Sequence, residues 1–160
     1  MFYIGAHLST AKGYAHMGEE ALSISANTFQ FFSRNPRGSK IKKLDEADIE
    51  KLMQIAEENN FGPLLAHAPY TLNLCSSTES IREFTNIVLA EDLKRLKYFK
   101  KTYYNFHPGS HTSLGVDAAI EIISAQLNMV LREDQDTIVL LETMAGKDTK
   151  LAQILRNLQE

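Results

Sequence analysis

Tyr103-Tyr104-Asn105-Phe106-His107-Pro108-Gly109-Ser110-His111 is the stretch on which the reading of this chain turns. Its aromatic and apolar residues predict a short buried strand ending on a histidine. Pro108-Gly109 then breaks the ladder and sends Ser110, His111 and Thr112 into a polar loop. Parallel α/β proteins build their sites at the carboxyl ends of such strands. Two further stretches close in the same way. Gly62-Pro63-Leu64-Leu65-Ala66-His67-Ala68-Pro69 ends an apolar run on His67, and Thr137-Ile138-Val139-Leu140-Leu141-Glu142 ends one on Glu142. The three polar ends lie 40 and 35 residues apart, about one strand-plus-helix unit each. Two imidazoles and a carboxylate delivered to one rim suit a divalent metal such as zinc.

The proportions around these stretches are those of a globular domain. With 44% hydrophobic and 23% charged residues in 160, the chain is expected to fold as a single domain, 1–160, with a core of its own. No apolar run approaches the roughly 18 residues of a membrane span, and no basic segment leads into an apolar one at the start. Cys75 is the only cysteine, which fits a reducing compartment; the expected location is the cytoplasm. The net charge of −3 does not itself point to nucleic acid. Its distribution is more telling, because Arg34, Arg37, Lys40, Lys42 and Lys43 crowd into one stretch without an acid.

Phe2 to His7 reads as a first strand, again ending on a histidine, with Ser9 and Thr10 as caps for the helix after it. Ser25 to Phe32 reads as a second strand, rich in aromatics, and Ser33 to Ser39 as a loop punctuated by Pro36 and Gly38. Asp45 opens a helix whose Ile49, Leu52, Met53 and Ala56 keep helical spacing. After the strand ending at His67, capping boxes are expected at Ser76 with Glu79 or Ser80 with Glu83. The long helix that follows ends on a basic run, Lys94 to Lys101, suited to the negative pole of a helix dipole. Val116, Ala119, Ile120, Ile123, Leu127 and Val130 predict a cleanly amphipathic helix, and Leu151, Ile154, Leu155 and Leu158 one more beyond a polar loop from Thr143 to Lys150. Strands alternating with helices call for a parallel sheet. The fold class is therefore α/β, a (β/α) TIM-barrel-type sheet of about five βα units, short of the roughly eight in a full barrel.

A lone histidine in an apolar segment is more often a core or hydrogen-bonding residue than a ligand. Three ionisable groups at equivalent strand ends shift that balance, since burial alone does not require a charge there. His7 and His111 stay open between two roles, a partner that fixes a ligand's tautomer or a simply exposed side chain. His16 is expected on a helix surface.

Four segments together resemble a known family: Phe2 to His7 with Ser9; His67-Ala68-Pro69-Tyr70 with Asn73; Asn105 to His111; and Glu142-Thr143-Met144-Ala145-Gly146. In order and spacing they are similar to the N-terminal portion of endonuclease IV, the zinc-dependent apurinic/apyrimidinic endonucleases of base-excision repair, which have xylose-isomerase-like barrels. The resemblance covers nearly the whole chain, and its HPGSH and ETMAG stretches are its most specific parts.

The resemblance implies that His67, His107 and Glu142 are metal ligands, with Glu142 the catalytic carboxylate bridging two zinc ions. It implies that Asn35-Pro36-Arg37 and Tyr70 belong to loops pushed into double-stranded DNA at the abasic site. Arg34 and Lys40 join these as DNA-facing cations. The implied reaction is hydrolysis of the phosphodiester 5′ to the baseless sugar. The family's cluster holds up to three zinc ions, with further ligands from later strands. No histidine follows His111, so one metal site is expected to keep its ligand set, and the chain alone to cut weakly or not at all. Open sheet edges would favour self-association. Two other readings remain: a DNA-binding module or inactive fragment without metal catalysis, and a sugar isomerase or epimerase. The basic loop argues against the last.

Overall fold

Leu64-Leu65-Ala66-His67 forms the strand it promises, and three others align beside it in chain order. They are β1 (Gln30–Phe32), β2 (Leu64–His67), β3 (Thr102–Phe106) and β4 (Ile138–Leu141), all parallel, in the order β1-β2-β3-β4. The computed structural model describes residues 1–38, 40–111 and 113–142. Helix α1 (Tyr14–Ser23) precedes the sheet, and α2 (Glu46–Glu58), α3 (Glu79–Leu96) and α4 (Val116–Val130) make the crossovers that parallel neighbours require. No helix among the described residues is long and apolar enough to cross a membrane.

Side chains alternate across a strand, so each strand has two faces. Phe31, Leu64, Ala66, Tyr104 and Phe106 are buried in one core with Met17, Ile49, Leu52, Val88, Leu89, Ala119 and Ile123 from the helices. The opposite parity carries Phe32, Leu65 and His67, Tyr103 and Asn105, and Ile138 and Leu140, and it is more open, with Ile138 56% exposed. The register pairs His67 with Phe32 on one side and with Asn105 on the other. Continued by two residues, the same parity brings His107 and Glu142 to the face that carries His67.

The helix ends show where local sequence rules held. Asp45 caps α2 by accepting from the Asp48 amide, and Ser9 caps a single 3-10 turn, Thr10–Lys12, rather than α1 itself. Gly13 is the N-cap of α1, and the helix's first amides, Tyr14 and Ala15, donate to the carboxylate of Asp48 on α2. Neither expected capping box forms. Thr78 is the N-cap of α3 without a side-chain bond, and the Ser76 hydroxyl accepts from the Thr78 amide instead. Lys94 and Arg95 do occupy the last turn of α3.

The expected first strand, Phe2 to His7, reduces to one bridge between His7 and Gln30. The Gln30 amide donates to the Ala6 carbonyl and the Leu8 amide to the Gln30 carbonyl. Further back the Asn27 amide donates to the Ile4 carbonyl, while the Asn27 side chain accepts from the Ile4 amide and donates to the Phe2 carbonyl. Gly5 packs so tightly there that a Cβ would meet the Thr28 carbonyl oxygen at 1.8 Å. The expected strand over Ser25 to Phe32 is regular only from Gln30. Ser25 sits at φ 58, outside the extended region, while Asn27 and Phe29 still bond through their backbones to Ile4, Gly62 and Leu65. The expected loop from Thr143 and the helix from Leu151 lie outside the described residues.

Candidate metal centre

Backbone bonds continue the ladder past the strand ends and set the heights of three side chains. The Ser33 amide donates to the His67 carbonyl at 2.9 Å, the Ala68 amide to the Asn105 carbonyl at 2.8 Å, and the Glu142 amide to the Phe106 carbonyl at 3.0 Å. His107 follows β3 directly and is held by the Pro108-Gly109 turn. Gly109 has φ 114, and a Cβ there would lie 2.1 Å from the Asn73 side-chain oxygen. Asn73 also donates from its amide group to the Ser110 carbonyl, so the loop after β2 clips the loop after β3.

His67, His107 and Glu142 converge, each offering a donor atom within 4.8 Å of the other two. His67 Nε2 lies 2.9 Å from Glu142 Oε2, and His107 Nε2 lies 3.3 Å from Glu142 Oε1. A tetrahedral zinc with bonds of about 2.0–2.1 Å holds neighbouring donors about 3.3 Å apart, so the spacing fits. The chemistry of the donors fits as well. His67 Nδ1 lies 2.6 Å from the Ala68 carbonyl, to which it donates, so in the neutral ring Nε2 presents a lone pair to a carboxylate. Two facing acceptors need something positive between them, either a proton or a metal cation. Partial burial pushes the Glu142 carboxyl up, but the bonds from His67 and Asn105 and the charge of His107 outweigh it and leave it below the ordinary range.

Tyr70, 58% exposed, stands over this centre with its ring centroid 5.6 Å from His67, 5.5 Å from His107 and 5.2 Å from Phe32. Its amide donates to the Pro36 carbonyl at 3.0 Å, joining it to the basic loop. In that loop Asn35 accepts from the Arg37 amide through its side-chain oxygen, a turn that leaves Arg37 exposed, and Lys40 is exposed beside it.

Two cations of the basic stretch are engaged within the fold. Arg34, expected to face DNA, has a side chain only 2% exposed and pairs with Asp92 at 2.6 Å and with Glu91 at 3.3 Å. Its guanidinium is committed to the fold because Asp92, itself fully buried, needs a charge partner. Lys42 donates to the Thr10 and Ala11 carbonyls and closes the end of the 3-10 turn.

For His67 the tautomer is fixed by the Ala68 carbonyl. His7 is exposed and accepts from the Gln30 amide group at Nδ1. It reaches the centre only through Phe32, whose ring centroid is 4.4 Å away, and burial followed by the charge of His67 holds it below its ordinary pKa. His111 is buried just past the Pro108-Gly109 turn. His16 lies on α1 beside Glu19, as a surface residue would.

Sequence reasoning missed Asn105, whose side-chain amide donates to Glu142 Oε2 and orients the carboxylate. One signal was present: Asn105 is the amide-bearing residue of an otherwise aromatic strand, at the same parity as His107.

Comparison with known proteins places this geometry in a class. A family model described as a xylose isomerase-like TIM barrel, that of AP endonuclease family 2, matches residues 19–160, and the chain belongs to that family. Over its whole length it is 54% identical to a protein of Clostridium beijerinckii named "Probable endonuclease 4", and it spans 58% of that relative. Among solved structures, endonuclease IV from Thermus thermophilus superposes with a TM-score of 0.77 at 28% identity, over 93% of this chain and 55% of that one. A D-psicose 3-epimerase from Clostridium cellulolyticum gives 0.55 at 15% identity, over 79% of this chain and 47% of that one, a likeness of fold alone.

Proposed function

We propose that this chain serves a zinc-dependent endonuclease that hydrolyses the phosphodiester 5′ to abasic sites in double-stranded DNA during base-excision repair, in the cytoplasm. The observation that carries the reading is the convergence of His67, His107 and Glu142 beneath an exposed aromatic ring and beside an exposed basic loop. His67 and His107 would hold the cation through their imidazole nitrogens, with Glu142 as the anionic ligand and catalytic carboxylate, aimed by Asn105. When bound, zinc supplies a Lewis acid that brings the pKa of water toward about 7 and offsets charge gathering on phosphate oxygens. Arg37 and Lys40 would neutralise backbone phosphates. Tyr70 would fill the gap left by the extruded sugar, a step made easier where pairing is already lost.

Three donors make one site, and family resemblance adds two further ions held by later strands. A second reading is therefore a DNA-binding module that recognises the lesion without cutting it. Binding to an abasic-site duplex in chelator, compared with cleavage under added zinc, separates the two. Cleavage that needs zinc and disappears in His107→Ala supports the nuclease; binding that survives chelator with no cleavage supports the module. An absence of both defeats the DNA assignment. β1 and β4 flank the described sheet, so self-association along an edge belongs to the same proposal and is read from sedimentation.

A further inference from the structure

Beneath the basic loop lies a carboxylate that the proposed chemistry does not use. Asp92 on α3 is fully buried, and four donors saturate it. At one oxygen it accepts from Arg34 Nε at 3.0 Å and Nη2 at 2.6 Å; at the other it accepts from the Ser33 hydroxyl at 2.6 Å and the Tyr104 hydroxyl at 2.7 Å. Tyr104 belongs to β3, so this one side chain ties a crossover helix to the central sheet and to the first two residues after β1. Arg34 also donates to the Val88 carbonyl of α3 at 3.3 Å, which closes a second point of attachment.

Of the three residues that Asp92 grips, Ser33 and Arg34 lead toward the rim. The Ser33 amide donates to the carbonyl of the ligand His67. Arg34 runs directly into Asn35-Pro36-Arg37, where the Pro36 carbonyl accepts from the Tyr70 amide. The loop roots on Asp92, therefore, and its far side holds the backbone of the aromatic residue above the metal centre. A bidentate guanidinium on a saturated buried carboxylate has little rotational freedom, so it fixes direction as well as distance.

We propose that Asp92 is a positioning residue that holds the loop from Asn35 to Gly38, and through it Tyr70, at the height where damaged DNA meets the metal centre. The inference rests on the DNA reading above for what the loop meets, and on the bonds just described for how it is held.

The test is Asp92→Asn in the full chain, which keeps the shape and removes the charge. Three readouts are taken: zinc affinity by competition, anisotropy of a duplex bearing a tetrahydrofuran abasic analogue, and limited trypsin digestion. Zinc affinity is expected to stay within about twofold, while abasic-duplex binding falls at least about tenfold. Trypsin is expected to cut the Arg34–Asn35 bond at least about tenfold faster relative to the Lys51–Leu52 bond within α2. Unchanged duplex binding, or an Arg34–Asn35 bond that stays protected, would overturn the proposal. So would a rise in both cuts together with a fall in zinc affinity in a variant that still folds. Where the parent chain binds no abasic duplex, the DNA reading fails and the ratio of the two cuts alone decides the positioning role. Should Asp92→Asn fail to fold, Arg34→Lys keeps the charge but loses the fork, and the same readouts and criteria apply.

Discussion

Asp92 and Glu142 are two carboxylates with opposite designs. Asp92 is sealed from water, and its cationic partner is an arginine, which stays charged at every pH the fold survives. Glu142 is 39% exposed at its side chain, and its partners are two imidazoles, whose ring nitrogens can carry either a proton or a metal ion. A permanent partner suits a structural tie. An imidazole can lose its proton to solvent, bind a metal through the same nitrogen and keep the geometry. The difference separates the part of the rim that must not move from the part that must exchange its occupant.

Arg34→Met breaks the first design most directly, because it strands Asp92 in the interior without a counter-charge. Its expected cost is about 3–5 kcal/mol of folding stability, read from urea denaturation. The double variant with Asp92→Asn should recover a large share of that loss; no recovery would mean that Arg34 stabilises by packing alone. Gly109→Ala probes the turn that delivers His107 to Glu142. Its positive φ and the close Asn73 oxygen predict a loss of about 1–3 kcal/mol, together with weaker zinc binding. Asn105→Ala removes the neutral donor that aims Glu142 and should weaken zinc by about 10–100-fold with little change in urea midpoint. Equal losses in zinc affinity and stability would erase the contrast between the two carboxylates.

The smallest effect concerns acid. The Glu142 carboxyl lies below its ordinary value in the folded chain, so its contribution is present above the unfolded pKa and is lost as pH falls through the folded one. In the metal-free chain, the gap in urea midpoint between the parent and Glu142→Gln should close as the pH drops below about 4. Because the group is substantially exposed, the corresponding difference in folding free energy should stay under about 1 kcal/mol even at neutral pH. A gap that widened in acid would show that the imidazoles dominate instead.

The rim was legible in the sequence because an apolar run that stops on an ionisable residue records both a strand and its end. Parity then brings His67, His107 and Glu142 to one face, whereas the place of Tyr70 and Arg37 beside them came from the family resemblance. Arg34 was not legible. Nothing in Arg34-Asn35-Pro36-Arg37 marks the first arginine as different from the second, since its partner lies 58 residues later on a helix. Phe2 to His7 misled for the converse reason. Its composition is that of a strand, and it does bond to Gln30 on either side of His7. Nearer its start, however, the Asn27 side chain takes the Ile4 amide and the Phe2 carbonyl, so regular pairing is confined to His7. Local pattern therefore recovers what adjacent residues decide and misses what a distant side chain takes over.

The acceptor that orients the His67 ring is the Ala68 carbonyl, a group every amino acid carries. Centres that fix an imidazole with an aspartate lose that control when one codon changes. Here any residue at position 68 whose side chain fits the space supplies the same oxygen, so the ring's choice of coordinating nitrogen is genetically insulated.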